Sequence, residues 1–289
     1  MLEVILIAVL GPPALVAAYA ILVEPRWLRI RRRVVRVPGW PSSLDGLTIL
    51  HLSDLHIGKG PSTVEGFLTR VVDIPADVVV ITGDFLAGVA GLEHCRRALK
   101  PLTDQREVYG ILGNHEHSSY PWRLSIRGRF KARSRLDTKG IVAGLEAAGV
   151  RMLINGHASV PSRLGKVTLV GIDDLFHDAH DLRGALDGVA LDEGVVLLCH
   201  SPDVLAEATR RQLPVVLSGH THGGQVRLPG VGVATTATRE PMERAAGIIR
   251  QGETVMHVSP GLGTTFLPIR LFVRPEATVL EIRSSDSLD

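Results

Sequence analysis

Short apolar segments rich in β-branched residues alternate with helical stretches along most of this 289-residue chain. Thr48–Leu52 precedes a helical window at Thr63–Val72, and Val78–Thr82 precedes another at Leu92–Leu102. After residue 225 the pattern changes to short strands and turns, which is typical of antiparallel sheet. The alternation therefore predicts an α/β fold in which helices cover the sheets.

Five of the predicted strands end in polar clusters whose side chains can bind a metal ion. The clusters are Asp54-Leu55-His56, Gly83-Asp84, Gly113-Asn114-His115-Glu116, Cys199-His200-Ser201 and Gly219-His220-Thr221-His222. Ligands of open α/β sheets gather at the carboxyl ends of the strands, so five such ends can converge on one place. The mixture of imidazole, carboxylate and amide oxygen suits borderline divalent metals such as Mn, Fe or Zn. We therefore expect a metal site at these strand ends.

Each cluster taken alone has an ordinary alternative interpretation. An isolated Asp-x-His or Gly-Asn-His is a common loop, and an isolated histidine is more often a hydrogen-bonded structural residue than a ligand. The whole set, with each cluster after an apolar strand, favours the metal site. We expect His51 to be structural, because it points to the strand face opposite Asp54.

These clusters resemble the five motif blocks of the calcineurin-like metallophosphoesterases, over about residues 46 to 225. Leu52–His56, the run GHTHGGQVRLP from Gly219 to Pro229, and Ser259–Glu276 are similar to a narrower group. That group is the bacterial membrane-associated branch of YkuE- and YaeI-like phosphodiesterases. The resemblance implies a two-sheet sandwich flanked by helices, and hydrolysis of a phosphoester.

The resemblance also implies a site with two divalent metal ions, of which manganese is the expected one and iron or zinc the alternatives. The first ion would be held by Asp54, His56 and His222, the second by Asn114, His200 and His220, and Asp84 would bridge them. Such a pair activates water for in-line attack on phosphorus. His115 would lie near the leaving-group oxygen, as a proton donor or as a positive group. Its alternative role is a hydrogen bond near the metals.

The segment Ser118–Arg135 follows the third block directly and carries six basic residues, no acidic residue and three aromatic ones. We expect it to overhang the pocket and to contact an anionic headgroup or the membrane interface. A solvated loop is the alternative. The expected substrate contacts are His117, Arg123 and Arg127.

The residues after the second block read Phe85-Leu86-Ala87-Gly88, and Leu112 precedes the third block. Protein Ser/Thr phosphatases of the superfamily carry Asp-Arg-Gly and Arg at those places, so that branch is disfavoured. The resulting expectation is a phosphodiesterase or pyrophosphatase acting on a membrane-associated phosphorylated small molecule or lipid. A specific alternative is the UDP-2,3-diacylglucosamine pyrophosphatase of lipid A synthesis. A non-catalytic scaffold is an alternative of another class.

An uncharged apolar run of 20 residues extends from Val4 to Val23. This is the length needed to cross a hydrocarbon core, so it predicts a membrane helix despite Gly11, Pro12 and Pro13. A cleaved secretory signal and a buried core helix are the alternatives. Six arginines between residues 26 and 36, with no acidic residue, then predict a single-pass cell-membrane protein with a cytoplasmic catalytic domain.

Composition limits the remaining classes. A 45% apolar content excludes general disorder, and two cysteines exclude a disulfide framework. A net charge of +2 gives no reason to expect a nucleic-acid partner. The expected organisation is an anchor at 1–24, a basic flank and entry strand at 25–45, one catalytic domain at 46–284, and a tail at 285–289.

Overall fold

Runs of Val, Ile and Leu form the strands of two mixed sheets that pack face to face. The computed structural model describes residues 1–120, 134–230, 232–233 and 238–285, and side chains at 2–9 are outside that description. The order in the first sheet is β1 (Arg29–Val37), β16 (Glu276–Ser284), β2 (Leu47–Leu52), β3 (Val78–Thr82), β4 (Val108–Ile111) and β7 (Val150–Met152). The order in the second is β14 (Gly247–Gln251), β15 (Thr254–Val258), β11 (Val215–Ser218), β10 (Val195–Leu198), β9 (Gly165–Gly171) and β8 (Gly156–Ser162).

Parallel strands make up the centre of each sheet. In the first sheet β2, β3, β4 and β7 run parallel, while β16 pairs antiparallel with β2 and parallel with β1. In the second sheet β15, β11, β10 and β9 run parallel, with β14 and β8 antiparallel at the two edges. Parallel strands end at the same edge of a sheet, so the residues that follow them gather there.

Helices precede or connect the strands. They are α1 (Leu2–Ala18), α2 (Thr63–Val71), α3 (Leu92–Thr103), α4 (Asn114–His117), α5 (Thr138–Glu146), α6 (Leu182–Ala185) and α7 (Leu205–Arg210). A π-helical turn spans Tyr19–Val23, and 3-10 turns span Glu24–Arg26, Ser42–Leu44, Val89–Gly91, Pro202–Val204, His222–Gly224 and Met242–Arg244. Two short ribbons pair β5 (Ser118–Ser119) with β6 (Ser134–Arg135) and β12 (Arg227–Leu228) with β13 (Gly232–Val233).

Three apolar layers hold these elements together. One layer lies between the sheets and includes Ile49, Val80 and Leu217. A second buries α2, α3 and α5 against the first sheet, and a third buries α6 and α7 against the second. The predicted α/β sandwich flanked by helices is thereby confirmed.

The prediction of an N-terminal membrane helix is wrong. Helix α1 has 17 residues, and the π-helical turn begins directly after it, at Tyr19. The regular α-helix is therefore shorter than the length of about 20 residues that a membrane helix needs. Among the helices of the described residues, none combines the length and apolar character that crossing a membrane requires. The predicted single-pass location at the cell membrane, with a cytoplasmic catalytic domain, is corrected accordingly.

Candidate metal centre

The five polar clusters lie together at the carboxyl ends of β2, β3, β4, β10 and β11, on both sheets. Five of their residues adopt the left-handed backbone conformation, namely Asp54, His56, Asp84, His220 and His222. That conformation is uncommon for residues with a Cβ and concentrates at functional sites. A Cβ added to Gly83 would lie 2.6 Å from His200 Nδ1, so the close approach of the two sheets requires glycine there.

Asp54, His56 and His222 form the first cluster of candidate ligands. The Nε2 atoms of His56 and His222 lie 3.0 Å apart, and His222 Nε2 lies 3.4 Å from Asp54 Oδ1. All three side chains are buried. The backbone N–H of His220 donates to both carboxylate oxygens of Asp54, each at 3.1 Å, which fixes the orientation of that carboxylate.

Asp84, His200 and His220 form the second cluster. His200 Nε2 lies 3.3 Å from Asp84 Oδ2 and 3.2 Å from His220 Nδ1. Asn114 begins α4 beside this cluster, and its buried Oδ1 accepts no hydrogen bond from the described residues. A buried amide oxygen without a donor is costly unless it has another partner.

Asp84 lies between the two clusters. Its Oδ2 is 3.4 Å from His56 Nε2 and 3.3 Å from His200 Nε2, so it faces one histidine of each cluster. Its Oδ1 accepts a hydrogen bond from the backbone N–H of His115 at 3.0 Å. The position is the one required of a carboxylate shared by two cations.

These residues fit a pair of divalent metal ions. The donor atoms within each cluster lie within 4.8 Å of one another, and the set of imidazole nitrogens, carboxylates and one amide oxygen suits borderline divalent cations. The unpartnered Asn114 Oδ1 supplies an independent reason to place a cation at the second cluster. His115 also lies within 4.8 Å of His56 and Asp84, so its distance alone does not distinguish a ligand from a neighbour.

A hydrogen bond behind the second cluster orients His200. The Nδ1 of His200 lies 2.7 Å from the backbone carbonyl oxygen of Thr82, which leaves Nε2 for the cluster. Metal-binding histidines are commonly held in this way by their second nitrogen. The partner here is a backbone carbonyl, which any residue type would supply, so the sequence contained no signal for it.

Burial and close charges set the protonation of the site. Burial would raise the pKa of Asp84, but the adjacent His200 and His115 bring it well below its usual value. Burial lowers the pKa of His56 and of His222 well below the usual range, so both rings are neutral and can act as ligands. Burial would also lower the pKa of His200, but Asp84 and Asp54 raise it to about 10. A cation must displace that proton, so metal binding at the second cluster releases protons.

A cavity of about 250 Å³ opens beside the first cluster. His56, His115, Tyr120 and the segment 264–268 line it. The ring centroid of His115 is 4.6 Å from that of His56 and 4.7 Å from that of Tyr120. His115 therefore lies between the candidate ligands and the space where a substrate can enter.

Of the three expected substrate contacts, only His117 lies within the described residues. His117 Nε2 lies 2.6 Å from Asp173 Oδ1, and His117 is not among the residues that line the cavity. Arg123 and Arg127 lie outside the described residues, as does most of the basic segment. Tyr120, at the start of the Ser118–Arg135 segment that was expected to overhang the pocket, lines the cavity. Phe266 also lines it and was not predicted as a substrate contact. Phe266 belongs to the Ser259–Glu276 segment, whose similarity to the family was the available signal.

Comparison with known proteins agrees with this geometry. The sequence profile of the family described as "Calcineurin-like phosphoesterase" matches residues 47–224, more than half of the chain. The "Uncharacterized metallophosphoesterase YkuE" of Bacillus subtilis is 28% identical over 93% of this chain and 90% of its own length. The "Phosphodiesterase YaeI" of Escherichia coli is 25% identical, over 90% of both chains. The "UDP-2,3-diacylglucosamine pyrophosphatase LpxG" of Chlamydia muridarum is 27% identical over 95% of both.

Proposed function

The chain belongs to the calcineurin-like phosphoesterase family, and we propose that this metal-dependent phosphoester hydrolase is a phosphodiesterase or pyrophosphatase that uses two divalent cations, manganese first among them. One observation carries the dinuclear proposal. The carboxylate of Asp84 faces His56 of the first cluster and His200 of the second at 3.4 and 3.3 Å.

Each residue of the site has a defined task in this reaction. When bound, the two cations supply a nucleophilic water and neutralise phosphoryl charge. Asp54, His56 and His222 would hold one cation, Asn114, His200 and His220 would hold the other, and Asp84 would be shared between them. His115 lines the cavity beside the first cluster, where its ring can give a proton to the departing oxygen or stabilise its charge.

The walls of the cavity favour a substrate with an apolar or aromatic part beside the phosphate. Tyr120 and Phe266 line the cavity together with His115, and the ring centroids of Tyr120 and His115 lie 4.7 Å apart. Aromatic walls contribute stacking and apolar contact to a ligand, while the charged end is bound by the metal centre.

Hydrolysis of UDP-2,3-diacylglucosamine is the second candidate, and a neighbouring cavity favours it. This cavity of about 200 Å³ shares His56, Thr264 and Pro268 with the first. Its other lining residues are mixed, with apolar side chains such as Ile21, Pro25 and Pro61 beside the polar Arg26, Ser62 and Thr63. The apolar side chains next to the candidate metal centre can contact an acyl chain. The similarity to LpxG points to the same substrate class.

The test uses the purified full-length chain with Mn²⁺. We expect hydrolysis of bis(p-nitrophenyl) phosphate and of a nucleotide-sugar pyrophosphate, and none by Asp84→Asn. Absence of hydrolysis with every phosphodiester and pyrophosphate at full metal occupancy would contradict the proposal.

A matched pair of variants tests the acyl substrate. Ile21 lines this neighbouring cavity and the adjacent Leu22 does not. Ile21→Ser should reduce kcat/KM for UDP-2,3-diacylglucosamine but not for the unacylated nucleotide sugar, and Leu22→Ser should change neither. Equal effects of the two variants on both substrates would remove the second candidate.

A further inference from the structure

Three arginines of β1 alternate along the strand and face the same way. Arg29, Arg31 and Arg33 are partly buried, whereas Ile30 and Arg32 between them are exposed. Adjacent residues of a strand point to opposite faces, so the alternation places three guanidinium groups on the inner face. The proposed hydrolase reaction does not require these three arginines.

These arginines line a cavity of about 180 Å³ together with two arginines of the C-terminal third. Its charged lining residues are Arg29, Arg31, Arg33, Arg227, Arg274 and Glu276. We call it the arginine cavity. None of the seven candidate metal ligands lines it, so it is a space separate from the metal centre.

Among the described residues that line the arginine cavity, Glu276 is the one carboxylate, so the lining carries an excess of positive charge. Glu276 Oε2 lies 3.9 Å from Arg29 and 3.4 Å from Arg31. Arg274 stacks on Trp27 at 4.0 Å and donates to backbone carbonyls of Trp27 and Leu28. Five guanidinium groups beside one carboxylate leave an excess of positive charge, which favours binding of an anion.

Two of the guanidinium groups also have unused donors. The Nε atoms of Arg33 and Arg227 are buried and donate no hydrogen bond to any described residue. A buried N–H without an acceptor costs free energy, and a charged one costs more. An anion whose oxygen atoms reach either group would supply the missing acceptor.

We propose that the arginine cavity binds a phosphate-bearing anion at a site separate from the metal centre. Arginine suits this ligand because its planar fork of donors matches the oxygens of a phosphate group. The volume fits one or two phosphoryl groups and excludes a folded partner or a nucleic-acid strand. A soluble phosphate ester and a phosphate headgroup of a lipid share this chemistry.

Calorimetric titration of the metal-loaded full-length protein with glycerol 3-phosphate tests the soluble source. The variant Arg33→Gln/Arg227→Gln should lower the affinity of one site about tenfold or more, because each arginine supplies charged donors. Arg32→Gln is the control on the exposed face of β1; it removes one positive charge, whereas the double variant removes two. Glu276→Gln should tighten binding by about threefold, because it removes the like charge from the cavity.

Co-sedimentation with vesicles tests the lipid source. Vesicles of phosphatidic acid in phosphatidylcholine should bind the wild type, and the same two arginines should be required. Dependence on Arg33 and Arg227 in either experiment supports the site and identifies its source. Equal losses with Arg32→Gln, or no loss with the double variant in both experiments, would overturn it.

Hydrolysis of bis(p-nitrophenyl) phosphate supplies a readout of the other site. The arginine variants should retain this activity within about twofold, because the metal ligands are untouched. Retained hydrolysis with unchanged anion binding would refute the arginine cavity alone. Absent hydrolysis in the wild type with arginine-dependent binding would refute the proposed function alone.

Discussion

The buried carboxylate of Glu116 accepts a hydrogen bond from the backbone N–H of Asp84 at 3.0 Å. It also accepts from the N–H groups of Gly113 at 2.9 Å and Leu86 at 3.0 Å. One side chain thus fixes the turns after β3 and β4, from which Asp84 and Asn114 enter the metal centre. Burial and the nearby Asp84 raise the pKa of Glu116 to about 8. The hydrogen bonds from the N–H groups of Gly113 and Leu86 oppose this rise, because they stabilise the charged form.

Replacing Glu116 by Gln should destabilise the protein strongly. The amide has one accepting oxygen in place of two, so at least one of the three N–H groups loses its acceptor. We expect a loss of about 2–3 kcal/mol in the free energy of unfolding, measured by urea denaturation. Glu93→Gln on the exposed face of α3 is the control. Equal stability of the two variants would contradict the role assigned to Glu116.

Asp84→Asn should remove catalysis while leaving the fold intact. The neutral amide keeps the size of the side chain but loses the charge that two cations would share, and we expect kcat/KM to fall about 1000-fold or more. Metal content, measured by atomic emission, should fall below two ions per chain. Asp104→Asn on the surface should behave as the wild type. Two retained ions in Asp84→Asn would rule out the bridging position.

His115→Asn should lower kcat by about 100-fold or more without loss of metal, because His115 acts on the leaving group. The effect should be larger for an alkyl diester than for a p-nitrophenyl diester, whose leaving group needs no proton. Kinetics with the two substrates and a metal assay check this. A parallel loss of metal would instead identify His115 as a ligand. Its ring nitrogen lies within 4.8 Å of the ligand atoms of His56 and Asp84, which is close enough for that role.

The paired rings of His51 and His257 should make the fold sensitive to acid. Their Nδ1 atoms lie 2.8 Å apart between the sheets. Burial lowers the pKa of His51 to about 3 and that of His257 well below its usual value. In the unfolded chain both titrate near 6.5, so the unfolded state binds more protons below that pH. The stability that these two neutral rings contribute is therefore fully present above about pH 6.5, and it is lost as the pH decreases toward 3.

His257→Gln isolates this contribution, because it removes one of the two titrating rings. The slope of unfolding free energy against pH should decrease by about 1.4 kcal/mol per pH unit between pH 6 and 4.5. Urea unfolding at a series of pH values measures it. Parallel curves for variant and wild type would show that the ring does not titrate on unfolding.

Arg270→Met should loosen the segment that holds Asp54 in place. Arg270 is fully buried and donates to the carbonyl oxygens of Pro260 at 2.9 Å, Gly261 at 3.1 Å and Val273 at 3.2 Å. The N–H of Gly263 in turn donates to Asp54 O at 2.7 Å. We expect a loss of about 3 kcal/mol in unfolding free energy, because several buried acceptors lose a charged donor. Denaturant midpoints measure it, with the exposed Arg210→Met as control.

The sequence allowed the α/β sandwich and the convergence of the polar clusters to be predicted. The α/β class and the convergence depend on local patterns, since strand alternation and the rule for strand ends need no knowledge of distant contacts. The two-sheet sandwich was implied by the resemblance to the calcineurin-like family. His51 was expected to be structural from strand alternation alone, and it lies buried against His257. The pairing itself joins residues 206 positions apart, and no pattern in one sequence specifies it.

The misjudged parts depend on long-range packing. The apolar count over Val4–Val23 suggested one spanning helix, whereas α1 ends at Ala18 and the following turns pack onto the domain. The buried Glu24 accepts the backbone N–H of Phe272, and the carbonyl of Ala20 accepts that of Arg270. Arg270 was missed because its partners are backbone carbonyls, which leave no signature in the residue types.

The strand order β1-β16-β2 has a consequence for how this protein folds during its synthesis on the ribosome. Within the first sheet, β1 hydrogen-bonds only to β16, which comes last in the described chain. The first arginine-bearing strand must therefore remain without its neighbour while some 240 residues are translated. The alternating arginines of β1 keep the unpaired strand charged until β16 is synthesised. That charge disfavours pairing of β1 with the strands of other nascent chains.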